Sequence, residues 1–389
     1  MENKKALPVL FLVMFFVMVG FGIIIPVLPF YAEDLGASPF ELGLLMAVYS
    51  LMQLLFSPFW GRVSDRIGRK PVLILGIIGL SFSFFLMAIA QKLWVLFAAR
   101  IIGGLLSSAN MPATMAYVAD TTSPENRSKG MGIIGAAVGL GFIFGPAIGG
   151  IFSAKSLSLP FYVAGFSSLF TLLLVVFLLK ESLQKDPAAM EESAKQSRWS
   201  HFQGTNAFLF ILQFFVSVSL AGLEATFAYF TAERAGLGTK EIGYIFMIMG
   251  LVGAVVQGGL LGPLVKKFGE GKIIQSGIIL SAAGFFLLLF VDSFFTAALY
   301  LSVFGIGNSV IRPAVSALLT KASNTGHGTV TGLLSSVDSL GRIIGPPLGG
   351  MLFSIHLNLP YISGIFLSTI ALSLYFFYRY RLKNVEGSA

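Results

Sequence analysis

Apolar runs of about 20 residues, separated by short polar stretches, dominate the 389-residue chain. A bilayer-crossing helix needs about 20 mainly apolar residues. That criterion predicts twelve spans: 7–31, 42–60, 71–91, 93–118, 130–153, 160–179, 206–230, 242–262, 273–291, 294–318, 329–354 and 359–378. Spans nine and ten are joined by a tight turn around Asp292-Ser293. Six spans lie on each side of the polar stretch 180–204, which carries Lys180, Glu181, Lys185, Asp186, Glu191, Glu192, Lys195 and Arg198. The expected architecture is an all-α integral membrane protein with twelve transmembrane helices in two six-helix, pseudo-symmetric bundles. The first bundle is 1–179, the linker 180–204 and the second bundle 205–389.

The two halves share a phrase at an offset of 200 positions. Gly141-Phe-Ile-Phe-Gly145-Pro146-Ala-Ile-Gly149-Gly150 returns as Gly341-Arg-Ile-Ile-Gly345-Pro346-Pro-Leu-Gly349-Gly350. Ala32-Glu33, Gly36 and Glu41-Leu-Gly43 match Ala232-Glu233, Gly236 and Glu241-Ile-Gly243. A constant offset over so many positions marks a tandem duplication. In an apolar chain it points to a transporter whose halves rock against each other.

Composition sharpens this picture. The chain is 56% hydrophobic and 11% charged, against about 25% charged in ordinary soluble domains. It has no cysteine, which excludes disulfides, thiolate metal sites and cysteine nucleophiles. His201, His327 and His356 are too scattered in sequence to suggest a metal site. The net charge of +8 lies between apolar spans, so a nucleic-acid partner is not expected. One set of loops and both ends hold most of the Lys and Arg, including Lys4, Lys5, Arg62, Arg66, Arg69, Lys70, Arg127, Lys129, Lys266, Lys267, Lys272 and Arg379. The opposite loops hold Lys92, Lys155, Arg234 and Lys240. The positive-inside rule then places both termini and the linker in the cytoplasm. The first apolar run is expected to be a retained span, without a cleavage signature.

Between spans two and three lies Gly61-Arg-Val-Ser-Asp65-Arg-Ile-Gly68-Arg69-Lys70. Gly61 is expected to let two helix ends approach closely, and Gly68 to permit a tight turn. Asp65 can pair with Arg69 or cap a helix N-terminus. This stretch resembles the G-x-x-x-D-x-x-G-R-K signature of the major facilitator superfamily at every fixed position. The second half keeps a worn copy in Gly262, Lys266, Gly269 and Lys272. The Gly141, Gly145, Pro146, Gly149 phrase, with its second copy at Gly345 and Pro346, resembles the antiporter signature of that superfamily. Arg100-Ile-Ile-Gly103-Gly104 resembles its arginine-glycine element. Gly22-Ile-Ile-Ile-Pro26-Val-Leu-Pro29-Phe-Tyr31 resembles the opening of bacterial drug:proton antiporters. The whole chain is similar to NorA-like and Bmr-like multidrug efflux pumps of Gram-positive bacteria. The resemblance implies the major facilitator fold and a bacterial cell-membrane location.

Ionisable groups at membrane depth cost at least about 2.5 kcal/mol on insertion scales and call for a reason. Arg100, Glu224, Arg312, Asp338 and Arg342 are such groups. Glu224 resembles the cavity carboxylate of the efflux pumps, and could carry a proton, attract a cationic drug or serve as an ion-pair partner. Val310-Ile311-Arg312-Pro313-Ala314 also resembles those pumps, but Ser309 stands where they have an aspartate. Their two-acid arrangement is therefore incomplete here. Asp338 and Arg342 share a helix face at i and i+4. Either they pair with each other, or Asp338 replaces the missing acid with Arg342 tuning it. Arg100 is expected to organise a proton or substrate path by resemblance, with a structural pairing as the alternative. Asp120 is read as having no functional role.

A loosely specific pocket needs broad apolar surface and few polar groups. Phe15, Phe16, Phe227, Tyr229, Phe230 and Met111 lie in spans that line the cavity in the superfamily. Gln53, Asn110, Gln257 and Asn308 are uncharged polar residues at membrane depth. The substrate-binding candidates are Glu224, Gln53, Asn110, Met111, Phe16, Phe227, Gln257 and Asn308. No G-x-x-x-x-G-K-[ST] motif occurs, so the expectation is a proton gradient in place of ATP, and no cofactor or metal. The reading is a non-enzymatic, monomeric, proton-coupled antiporter that exports hydrophobic, often cationic drugs by alternating access. The alternatives are a proton-coupled exporter of one metabolite, such as a sugar or amino acid derivative, and a non-transporting membrane sensor.

Overall fold

A computed structural model describes residues 6–183, 206–322 and 327–386. Residues 184–204 of the expected linker, with Lys4, Lys5 and His201, lie outside the described residues. The described residues form long helices and no strand. In the first half these are α1 (Ala6–Asp34), α2 (Pro39–Ile67), α3 (Arg69–Ala88), α4 (Leu93–Thr121), α5 (Pro124–Ser153) and α6 (Leu159–Leu178). The second half holds α7 (Ala207–Ala235), α8 (Thr239–Phe268), α9 (Glu270–Leu288), α10 (Phe294–Ala322), α11 (His327–Ile355) and α12 (Leu359–Glu386). Eleven of them are long and apolar enough to cross a membrane. With α11, which carries Asp338 and Arg342, the count reaches the twelve expected.

The repeated polar residues turn out to be helix punctuation. Gly36 and Gly236 both take positive φ, 84° and 63°, which only glycine adopts without strain. Glu41 then reaches back to the Ser38 amide at 2.8 Å, and Glu241 to the Gly238 amide at 3.1 Å. Ser38 completes a capping box by accepting from the Glu41 amide. Each carboxylate thus satisfies an amide at the start of its helix. The same device begins α2 and α8.

Two compact units follow. One comprises Met1–Pro187 with Gly238–Met247, the other Ala188–Leu237 with Ile248–Ala389. Inside the first unit, Ser153 at the end of α5 shares a 2.6 Å hydrogen bond with Thr239. The second unit has its own apolar core, drawn from Phe210 of α7, Ile278 of α9, Ile311 of α10, Leu334 of α11 and Tyr375 of α12. α8 is interrupted by a π-helical turn at Val256–Leu260.

Candidate functional site

Glycine decides how closely the key helices approach. A Cβ on Gly141 would come 2.5 Å from the Met18 Cβ, one on Gly145 2.7 Å from the Gly22 Cα, and one on Gly149 2.8 Å from the Ile23 carbonyl oxygen. α5 therefore lies backbone to backbone on α1. In the second unit α11 lies the same way on α7: a Cβ on Gly345 would meet the Val218 carbonyl oxygen at 2.5 Å, and one on Gly349 the Gly222 carbonyl oxygen at 2.9 Å. Both copies of the phrase do the same packing work. Pro146, Pro346 and Pro347 stand inside their helices.

Around the α7–α11 contact four of the five intramembrane charges come together. Arg342 Nη1 lies 3.1 Å from Glu224 Oε2, and Arg312 Nε of α10 lies 2.7 Å from Asp338 Oδ2. The Asp338–Arg342 bridge, one of the two readings of that spacing, is not among the ion pairs of the described residues. Its physical reason is competition across the helix contact. Gln213 Nε2 donates to Asp338 Oδ1 at 2.8 Å, and Ser217 Oγ donates to the same oxygen at 2.6 Å. These two residues of α7, with Arg312, hold the Asp338 carboxylate and leave Arg342 to Glu224 of α7. Arg312 also reaches Ser335 Oγ at 3.3 Å.

The four charges form two cross-helix pairs, each carboxylate more buried than its arginine. Side-chain exposure is 11% for Glu224 against 42% for Arg342, and 21% for Asp338 against 51% for Arg312. Gln213 and Ser217 were not singled out from the sequence. The only signal was their spacing of four on one face of α7, with Glu224 seven residues beyond Ser217.

The first unit has no counterpart. Subtracting 200 from Gln213, Ser217, Glu224, Asp338 and Arg342 gives Val13, Val17, Ile24, Val138 and Phe142. These matching positions of the same glycine-packed helix pair are apolar there.

Arg100 is buried in α4, donates from Nε to the Leu45 carbonyl oxygen at 3.0 Å, and lies 4.3 Å from the centre of the Tyr49 ring. Gln53 donates to the Tyr49 hydroxyl at 3.0 Å, and that hydroxyl also bonds Ser107. Gln53 thus belongs with Arg100, Tyr49 and Ser107 in one network joining α2 and α4. Asn110 is buried against Gly76 of α3 with no hydrogen-bond partner among the described residues. Met111 is exposed. Phe16 turns its ring toward Phe170 of α6, at 5.6 Å between centroids.

The aromatic candidates on α7 are core. Phe227 and Phe230 are fully buried, and Phe230 packs on Tyr361 at 4.2 Å. Gln257 is exposed in the π-helical turn of α8. Asn308 lines a small cavity of the second unit with Ser219, Ser281 and Phe304.

The signature between spans two and three is not a loop. Asp65 lies inside α2, Gly68 alone separates the helices with φ +111°, and Arg69 begins α3. Asp65 pairs with Arg69 rather than capping a helix. Gly61 has no tight neighbour, its Cβ position being 4.0 Å from Pro112, so close approach is not its role here. Arg69 also bonds Ser64 at 2.9 Å and pairs with Asp120 at 2.9 Å. Asp120, read as idle from the sequence, is a partner of the signature arginine. A further participant went unread. Glu181 accepts the Arg69 amide at 2.8 Å and the Lys70 amide at 3.1 Å. Lys70 Nζ donates to the Val176 carbonyl oxygen at 2.8 Å. Burial raises the Glu181 carboxyl, but four backbone donors (Leu183, Arg69, Lys70 and Ser182) outweigh it and hold it below its ordinary value.

The Major Facilitator Superfamily model matches residues 10–261 and 258–388 of the chain. The chain belongs to the Major Facilitator Superfamily. It is 33% identical to multidrug resistance protein 2 of Bacillus subtilis over 379 residues, covering 96% of this chain and 95% of that one. It is 30% identical to the quinolone resistance protein NorA of Staphylococcus aureus over 361 residues, covering 92% of each. Among solved structures, a bacterial homolog of the human lysosomal transporter Spinster superposes with a TM-score of 0.82 over 98% of this chain and 97% of that one, at 17% identity. This superfamily protein is thus a multi-pass membrane transporter, with the fold expected from its sequence.

Proposed function

We propose that the protein is a proton-coupled antiporter that exports hydrophobic, often cationic drugs from the cytoplasm by alternating access. The observation that carries this reading is the Glu224–Arg342 pair on the glycine-packed α7–α11 contact. A carboxylate at membrane depth needs a function or a partner, and Glu224 has a partner that is itself partly open. Charged groups standing where the first unit's equivalent scaffold is apolar are not needed for packing. The names of the relatives, multidrug resistance protein 2 and quinolone resistance protein NorA, support the substrate class.

Glu224 takes up a proton from the outside and releases it toward the cytoplasm; protonation favours drug release, and deprotonation restores the site. Asp338, Arg312, Arg342 and Arg100 assist the coupling. The energy source is the proton gradient, worth about 2.3 kcal/mol per charge per 100 mV of potential, with no cofactor. The chain works as a non-enzymatic monomer in the bacterial cell membrane with both termini cytoplasmic. The test is drug-dependent proton flux in proteoliposomes under an imposed pH gradient. Flux in the native protein and its loss in Glu224→Gln are expected; no drug-dependent flux in the native protein would refute the reading.

A further inference from the structure

Arg342 has two acids within reach and uses the more distant one in sequence. Asp338 lies four residues before it on the same helix face, the spacing at which an acid and an arginine ordinarily pair. Instead Asp338 is held by Arg312, Gln213 and Ser217, and Arg342 spans to Glu224. Among the described residues Glu224 makes this one pairing, whereas Asp338 receives three donors. The Arg342 side chain, 42% exposed, pairs with a Glu224 side chain that is 11% exposed. A cation that approaches Glu224 therefore meets the positive charge of Arg342.

We propose that Arg342 is a tethered counter-ion for Glu224, occupying the place that a lipophilic organic cation takes, and that Asp338 is the seat to which it retires. The inference rests on the reading of Glu224 as the coupling acid and adds the residue that sets its affinity for cations. A side-chain rotation is enough for the exchange, because Asp338 shares the face of α11. Asp338 has room for another donor, since an ionised carboxylate offers about four acceptor positions and three are in use. An unpaired carboxylate at membrane depth is costly, so Glu224 is covered by Arg342, by a proton or by substrate. Those three then compete for one group, which is the condition for exchange rather than co-transport. The first unit supports the assignment. Its α1–α5 contact keeps the same glycine packing with Ile24, Val138 and Phe142 at the matching positions, so these charges serve something other than helix contact.

The experiment measures equilibrium binding of tetraphenylphosphonium to the purified full-length protein in detergent. Arg342→Gln is expected to bind the cation about tenfold more tightly, the lower end of coupling between close charge pairs. Glu224→Gln/Arg342→Gln is expected to lose that gain. Arg342→Lys, which keeps the charge, is expected to stay within about twofold of the native protein, well under the tenfold step that 1.4 kcal/mol represents. Unchanged or weaker binding by Arg342→Gln overturns the proposal. Asp338→Asn tests it with the opposite sign should Arg342→Gln not fold: removing the seat holds Arg342 on Glu224 and weakens cation binding, and tighter or equal binding overturns the proposal. Proton flux by Glu224→Gln separates the two readings. Native-like coupled flux defeats the choice of Glu224, whereas lost flux with no gain in Arg342→Gln defeats only the counter-ion.

Discussion

Gly345 on α11 rests on the Val218 carbonyl of α7 with no space for a methyl group, a Cβ there coming 2.5 Å from that oxygen. The obstacle is backbone, so it cannot rotate away. Gly345→Val is expected to destabilise the protein by at least the 1–3 kcal/mol or so typical of overpacking. It should also separate Glu224 from Arg342 and abolish transport. Gly139→Ala is the control, since nothing lies within 4 Å of its Cβ position. Thermal unfolding of the purified variants checks both; equal melting temperatures would refute the packing argument.

Arg69 is buried between two acids, Asp65 and Asp120. Asp120→Asn leaves it with Asp65, and Asp65→Asn leaves it with Asp120, so each single change is expected to lower transport several-fold. The double change strands a buried guanidinium. It is expected to cost about 3–5 kcal/mol, as removing the partner of a buried charge does. A double-mutant cycle on unfolding should therefore be strongly non-additive. Simple additivity would mean that the two acids act independently.

The Glu181 carboxyl, held below its ordinary value of 4.5, gives a pH signature with a definite sign. A depressed folded-state value means that its stabilisation is complete above pH 4.5 or so and is lost as pH falls through the lower folded value. Glu181→Gln should melt below the native protein at pH 7, and the gap should close on acidification beneath the ordinary carboxylate value. Hydrogen exchange at the Arg69 and Lys70 amides reports the same loss locally. A gap that persists unchanged at the acid end would contradict the assignment.

Gln213→Leu removes one donor to Asp338 while Ser217 and Arg312 remain. A hydrogen bond to a charged group contributes about 1.5–3 kcal/mol. The variant is expected to lower stability within that range and to let Asp338 draw Arg342 away from Glu224. The pH profile of drug export should shift while surface expression stays native. An unshifted profile would show that Gln213 only fills space.

The twelve helices and the duplication were legible because each leaves a local mark. Span length and a repeated offset can both be read without knowing what touches what. The ion pairs were not. Asp338 and Arg342 share a face by spacing alone, and the partner each takes is decided by Gln213, Ser217 and Glu224 on a helix more than 110 residues away. The burial of Phe227 and Asn110 was not legible for a related reason. Which side of an apolar helix faces neighbours is weakly written when every side is apolar. Asp120 and Glu181 were passed over because they sit among ordinary surface charges, and Arg69 gives them significance only in three dimensions.

Glu181 also ties the start of α3 to a much later part of the chain. The Arg69 amide that opens α3 is satisfied by a side chain 112 residues later in the chain. During synthesis α2 and α3 are made long before that carboxylate exists, and its arrival follows the whole of α6. Gly68, whose Cβ position falls 2.7 Å from the Glu181 carboxyl carbon, leaves room for it. The acceptor that completes the start of α3 is therefore supplied at the point where the chain leaves the first six helices for the second half.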